Sequence, residues 1–148
     1  MKMNPLKIIS FGILFVALAS CHKDSPIDSI VPTIELESVS AGNIQEGDPL
    51  TFRIKYTDGD GDLGENNADA HNLFLVDNRV NVTYEYRIQE LAPSGSSLII
   101  TGHLDIELKT TAITNGSNSQ SVTYSIFVKD RSGNQSNTVT TESITINK

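Results

Sequence analysis

"LTFRIKYTDGDGDLG", residues 50–64, decides the fold class of this 148-residue chain. Leu50, Phe52, Ile54 and Tyr56 are apolar, and Thr51, Arg53 and Lys55 between them are polar. A period of two sends successive side chains to opposite faces, so this half reads as a strand with one face in a core. The alternation then gives way to Asp58, Asp60 and Asp62 at alternate positions, with Gly59 and Gly61 between them. Glycine and aspartate are residues of sharp, solvated turns, so the strand is expected to end in a polar loop over 57–71.

The same alternation recurs along the chain. Ile34, Leu36 and Ser38 share one face of a first strand, with Glu35 and Glu37 on the other. Further strands are expected over 72–77, 84–89, 104–108 and 122–128, the last with Val122, Tyr124, Ile126 and Val128 in phase. In the final strand Val139 and Thr141 are in phase but Ile144 and Ile146 have slipped by one, which predicts a β-bulge near Glu142 or Ser143. Turn-rich stretches separate these segments at 41–48, 57–71, 93–97, 115–119 and 130–137, and no segment carries a helical period. About seven strands in roughly 115 residues predict an all-β fold, an antiparallel β-sandwich, with a barrel as the alternative. Tyr124, near the start of the sixth strand, suits a tyrosine corner or a plain core position.

The first 20 residues are expected to be a removable leader. Lys2 and Lys7 give a basic start, and Ile8 to Ala19 is an apolar run shorter than the roughly 20 residues that span a bilayer. Leu18-Ala19-Ser20-Cys21 resembles the lipobox of bacterial lipoproteins, in which the cysteine is lipidated and becomes the new N-terminus; the alternative is an ordinary signal peptide. Cys21 is the only cysteine, so with its thiol lipidated no disulfide is available. The diacylglyceryl group and further acyl chain implied by this resemblance would anchor the protein stably, since two or more chains are needed for that. Residues 21–31 then form a lipidated cysteine and flexible tether, and 32–148 the folded domain. Lys23-Asp24 resembles the charged export signal of surface lipoproteins in the Bacteroidota, so the expected location is the outer membrane, facing the surface or the periplasm.

Loss of the leader removes Lys2 and Lys7 and leaves nine basic residues against 18 acidic, a formal net charge of −9. Such a surface repels nucleic acid, which is bound through basic patches.

Catalytic signatures are scarce. His22, His71 and His103 have no zinc-site spacing, there is no Gly-x-Ser-x-Gly elbow, and the glycine-rich loop is too acidic to cradle a phosphate. Glu85 and Glu107 could be paired as in glycoside hydrolases but are expected on solvated strand faces. The chain is therefore expected not to be an enzyme. Glycan binding is the alternative, with Phe74 and Phe127 as the aromatics on an outer face; no tryptophan is present.

"PTIELESVS", "LTFRIKYTDGDGDLG" and "YSIFVKDRSGNQSNTVTT" together resemble the small immunoglobulin-like lipoproteins of the Bacteroidota, and "VKDRSGNQSN" is also similar to bacterial Ig-like and fibronectin-like modules. This resemblance implies an immunoglobulin-like sandwich with a binding or structural role towards a protein or glycan partner. The glycan version would be a capture lipoprotein of a polysaccharide-uptake system.

The acidic loop is the one candidate for bound metal. Counted from Asp58 as position one, Asp60 and Asp62 fall at three and five, Gly64 at seven, Asn66 at nine and Asp69 at twelve, close to the EF-hand calcium spacing. Leu63 stands where that loop has its turn glycine, and the flanks are strands rather than helices. In a sandwich the loop after the sixth strand reaches the same end, which would bring Asp130 and Asn134 to the first three aspartates. Calcium is the expected ligand; the alternative is a hydrated turn in which aspartates cap backbone amides.

Overall fold

The computed structural model describes residues 30–148. The leader, Cys21 and the tether up to residue 29 lie outside the described residues.

The described chain is an all-β sandwich of ten strands without a helix: β1 Thr33–Val39, β2 Asn43–Gln45, β3 Leu50–Asp58, β4 Leu73–Asp77, β5 Val82–Tyr86, β6 Ile100–Leu108, β7 Ser119–Val122, β8 Tyr124–Val128, β9 Val139–Thr140 and β10 Ile144–Asn147. They pair as β1-β3-β6, β5-β4-β8-β9 and β2-β10-β7, antiparallel throughout except between β2 and β10. The inward residues of β3, β4 and β8 are almost wholly excluded from solvent, as period-two strands over one core require. Phe52 of β3 meets Tyr124 of β8 edge to face, with centroids 5.2 Å apart, and so joins the first two sheets. Each such aliphatic or aromatic side chain, fully buried, contributes about 1.5–3 kcal/mol relative to exposure.

Ten strands replace the expected seven for identifiable reasons. β2 is a three-residue addition inside the predicted loop 41–48. The sixth and seventh predicted strands each divide in two, because they leave one sheet and enter another together. β8 pairs with β9 through Ser125↔Thr140, whereas β7 pairs with β10 through Val122↔Ile144. Four steps along one strand thus oppose three along the other, the one-residue excess that the parity slip predicts. Thr141 holds the crossing, its N–H donating to the Tyr124 carbonyl and its hydroxyl accepting from the Tyr124 N–H.

A second bulge corrects the first strand. Leu36 faces Ile54 but Ser38 faces Arg53, so Glu37 is the extra residue. Past it the faces exchange: Ser38 is exposed and Val39 packs on the core in its place. Glu37 is thereby turned to Arg53, which also pairs with Asp105 across β3 and β6. Tyr124 is a core tyrosine with its hydroxyl pKa pushed up to about 12, by burial first and then by Asp77. Among the described residues its hydroxyl makes no bond of the corner type.

Candidate metal centre

Asp58 is the last residue of β3 and has the inward parity of Leu50, Phe52, Ile54 and Tyr56. A carboxylate therefore stands at a core position, and its exposure is 0%. The chain turns directly afterwards through Gly61 (φ +74°) and Gly64 (φ +87°), left-handed conformations that glycine adopts without a Cβ penalty. Both turns are also tightly covered. A Cβ on Gly61 would lie 2.6 Å from the Leu98 carbonyl oxygen, and one on Gly64 would collide with that of Gln89. Between them Leu63, at 0% exposure, plugs the loop into the core, and its N–H donates to Asp58 Oδ2 at 2.8 Å.

The partner loop follows β8. Lys129 bridges to Gln135, closing a turn in which the backbone N–H of Asn134 donates to Asp130 Oδ1 at 2.7 Å and its side-chain amide to Oδ2 at 2.9 Å. Arg131 fastens this turn to the acidic loop through its N–H to the Asp62 carbonyl, and through its guanidinium to the carbonyls of Gly64 and Gly61 and to Glu90. Ser132 adds two donors to Asp62 Oδ2, the N–H at 3.1 Å and the hydroxyl at 2.7 Å.

The result is a cluster in which Asp58, Asp62 and Asp130 each offer an oxygen, all within 4.8 Å of one another. Asp58 Oδ1, Asp60 Oδ1 and Asp62 Oδ1 are buried and have no hydrogen-bond partner. None of the ion pairs among the described residues involves these four aspartates. Burial raises the Asp58 pKa above the ordinary carboxylate value, the Leu63 N–H opposes that rise, and the charges of Asp60, Asp62 and Asp130 add to it. Chemically the site is an all-oxygen, anionic pocket, a donor set for a hard divalent cation rather than for zinc.

The EF-hand count holds only over its first half. Asp58, Asp60 and Asp62 line the turn and Asp130 joins them with Asn134 as its hydrogen-bond partner. Asn66 and Asp69 are not brought in. Past Gly64 the chain leaves to pair with the segment after β5: the Glu65 N–H donates to the Ile88 carbonyl, the Asn66 amide to Glu90, and Arg87 to the Asn66 carbonyl. Asp69 is exposed in a turn stabilised by Asn67. Arg131 and Ser132 were not singled out from sequence; they lie inside the "DRSGN" stretch, but nothing in their spacing marks them as the loop's fasteners.

The other candidates lie elsewhere. Phe74 and Phe127 are cross-strand neighbours on the outer face of β4 and β8, stacked at 4.8 Å and 14°, with Lys129 Nζ over the Phe74 ring. His71 and His103 are exposed and paired with Glu85 and Glu37. Glu85 and Glu107 border a largely apolar groove of about 760 Å³ between β5 and β6, with Tyr84, Tyr86 and Tyr124 in its wall. No protein-family model, no curated protein and no solved structure matches this chain.

Proposed function

We propose that this chain is a lipid-tethered module of immunoglobulin-like type, without catalytic activity, that binds or organises a neighbour at an outer membrane. The observation that carries this reading is the strand order. The orders β1-β3-β6 and β5-β4-β8-β9, beside the small sheet β2-β10-β7, support this reading because they resemble the A-B-E and C′-C-F-G orders of immunoglobulin-type sandwiches. The Leu18–Cys21 lipobox resemblance supports the tether. Thr33 opens β1 opposite Thr57, so a tether would enter the domain beside the acidic loops and leave the opposite loops and both outer faces free for a partner.

The sugar-stacking alternative has less support. Phe74 and Phe127 turn their faces to each other and to Lys129, and a stacked pair is a poorer platform for a flat sugar ring than two coplanar aromatics. The carboxylates Glu85 and Glu107 are exposed, and Glu85 is paired with His71, which supports a solvated role.

Fatty-acid labelling in the cell of origin tests the tether. The wild-type chain should carry label and fractionate with membranes, and Cys21→Ala should lose both. A label that survives Cys21→Ala overturns the anchor. Sugar binding on an array that disappears with Phe127→Ala would replace the reading by glycan capture, and glycan turnover lost in Glu85→Gln or Glu107→Gln would replace it by hydrolysis.

A further inference from the structure

We propose that Asp58, Asp62 and Asp130 hold one calcium ion, with the charge of Asp60 beside them, and that it joins the loop after β3 to the loop after β8. The acidic cluster alone would not establish a site, since neighbouring carboxylates are common on protein surfaces. The independent observation is Asp58. It is completely buried, one oxygen takes the Leu63 N–H, and the other has no partner. An unpaired buried carboxylate is strongly destabilising, and a fold does not retain one at a core position without something to offset it.

Among the described residues no ion pair supplies a counter-charge to the cluster. Lys129 and Arg131 flank Asp130 in sequence, but Lys129 Nζ lies over the Phe74 ring and the Arg131 guanidinium is committed to the carbonyls of Gly64 and Gly61 and to Glu90. A proton on Asp58 would satisfy that residue and leave Asp60 Oδ1 and Asp62 Oδ1 buried without partners. One divalent cation among Asp58, Asp62 and Asp130 answers Asp58 and Asp62 directly and offsets the charge of Asp60.

Calcium fits better than its competitors. Every donor is a carboxylate oxygen, which excludes a preference for softer transition metals. Calcium accepts six to eight oxygens in irregular geometry, so three carboxylates from two loops, completed by carbonyls or water, make a usable set. Magnesium demands a near-octahedral shell and keeps its water, which a pocket of solvent-excluded oxygens disfavours. The inference is independent of the tether and of any partner, since it rests on the folded domain alone.

The test is thermal melting of the purified full chain in detergent, in chelator, in millimolar magnesium and in millimolar calcium. A ligand bound by the folded state alone raises the midpoint. Calcium should raise it by about 5 °C or more and magnesium by clearly less. Asp58→Asn and Asp62→Asn should each lose most of the calcium shift, and Asp69→Asn, outside the cluster, should keep it. No calcium shift in the wild-type chain, an equal shift with magnesium, or a full shift retained in Asp58→Asn would overturn the assignment.

Discussion

Three aspartates are buried among the described residues, and the chain treats two of them, Asp77 and Asp58, in opposite ways. Asp77 closes β4 opposite Tyr124 at one end of the β8 ladder, and Asp58 closes β3 beside the loop that leaves its other end. Asp77, 2% exposed, is held by Arg79 through Nε to Oδ1 at 3.0 Å and Nη2 to Oδ2 at 2.6 Å, and that guanidinium goes on to the Ala112 carbonyl and Gln120. Asp58 has one backbone N–H and three other carboxylates for company. The first end is electrostatically complete within the chain. The second, on our proposal, is completed by a cation from outside. A buried carboxylate is therefore not one kind of feature: its effect on stability takes its sign from its partner.

The largest effect is expected where the complete end is broken. Asp77→Asn removes one partner of a buried bidentate pair and strands Arg79, which should destabilise the fold by about 3–5 kcal/mol. The loss should be the same in calcium and in chelator, as denaturant melts in both would show. A loss seen in chelator alone would dissolve the distinction between the two ends.

Gly64→Ala comes next. It forces a Cβ into left-handed backbone and against the Gln89 carbonyl, and should cost about 2 kcal/mol or more. Because the turn also positions Asp62, the variant should need more calcium to reach its full midpoint. Unchanged melting in chelator would mean that the loop is not clamped as described.

The same Asp-to-Asn exchange at position 58 should act in the other direction. In chelator, Asp58→Asn removes a buried charge that three neighbours repel, and should raise stability by about 1–2 kcal/mol. The pH dependence has a definite sign. With its native pKa raised, Asp58 contributes stability that is fully present below the ordinary value of 3.8 and is lost as pH rises through the native value. The midpoint of the chelated wild-type chain should therefore fall relative to that of Asp58→Asn as pH rises from mildly acidic to neutral. Parallel profiles for the two proteins would remove Asp58 as the source of strain.

Charge in water sets the lower bound of the comparison. Arg53 bridges Glu37 and Asp105 on the outer face of β1-β3-β6, with side chains from a third to more than half exposed. Arg53→Ala should change stability by less than about 1 kcal/mol, less still at high salt. A larger loss would show that surface pairs contribute more here than solvent screening allows.

How much of this was legible in the sequence depends on the range of the interaction. The β3 pattern from Leu50 to Tyr56 reports burial residue by residue, and so fixed the strand and its inward face. The same parity carried on to Asp58 marks a carboxylate in the core, a signal the sequence held and that counting EF-hand positions obscured. The count failed after Gly64 because the EF-hand spacing assumes a chain that keeps winding round the ion. Here the backbone leaves to pair with Ile88, a contact across 23 residues that no local pattern encodes. Asp130 comes close to Asp58 and Asp62 because the sandwich dictates which loops share an end. The role of Arg131 has no local signal, since most of its partners are backbone carbonyls that any residue would supply and the other is Glu90, 41 residues away in sequence. The Glu37 bulge was invisible for a related reason: Ser38 and Val39 are both tolerable inward, and only pairing with β3 decides between them.

The most direct test of the central claim, that the β3 end is completed by calcium, is a crystal structure grown in calcium with anomalous data. The account predicts one peak bonded at about 2.3–2.6 Å to carboxylate oxygens of Asp58, Asp62 and Asp130. A water or nothing among those oxygens, with calcium bound elsewhere or not at all, would contradict it.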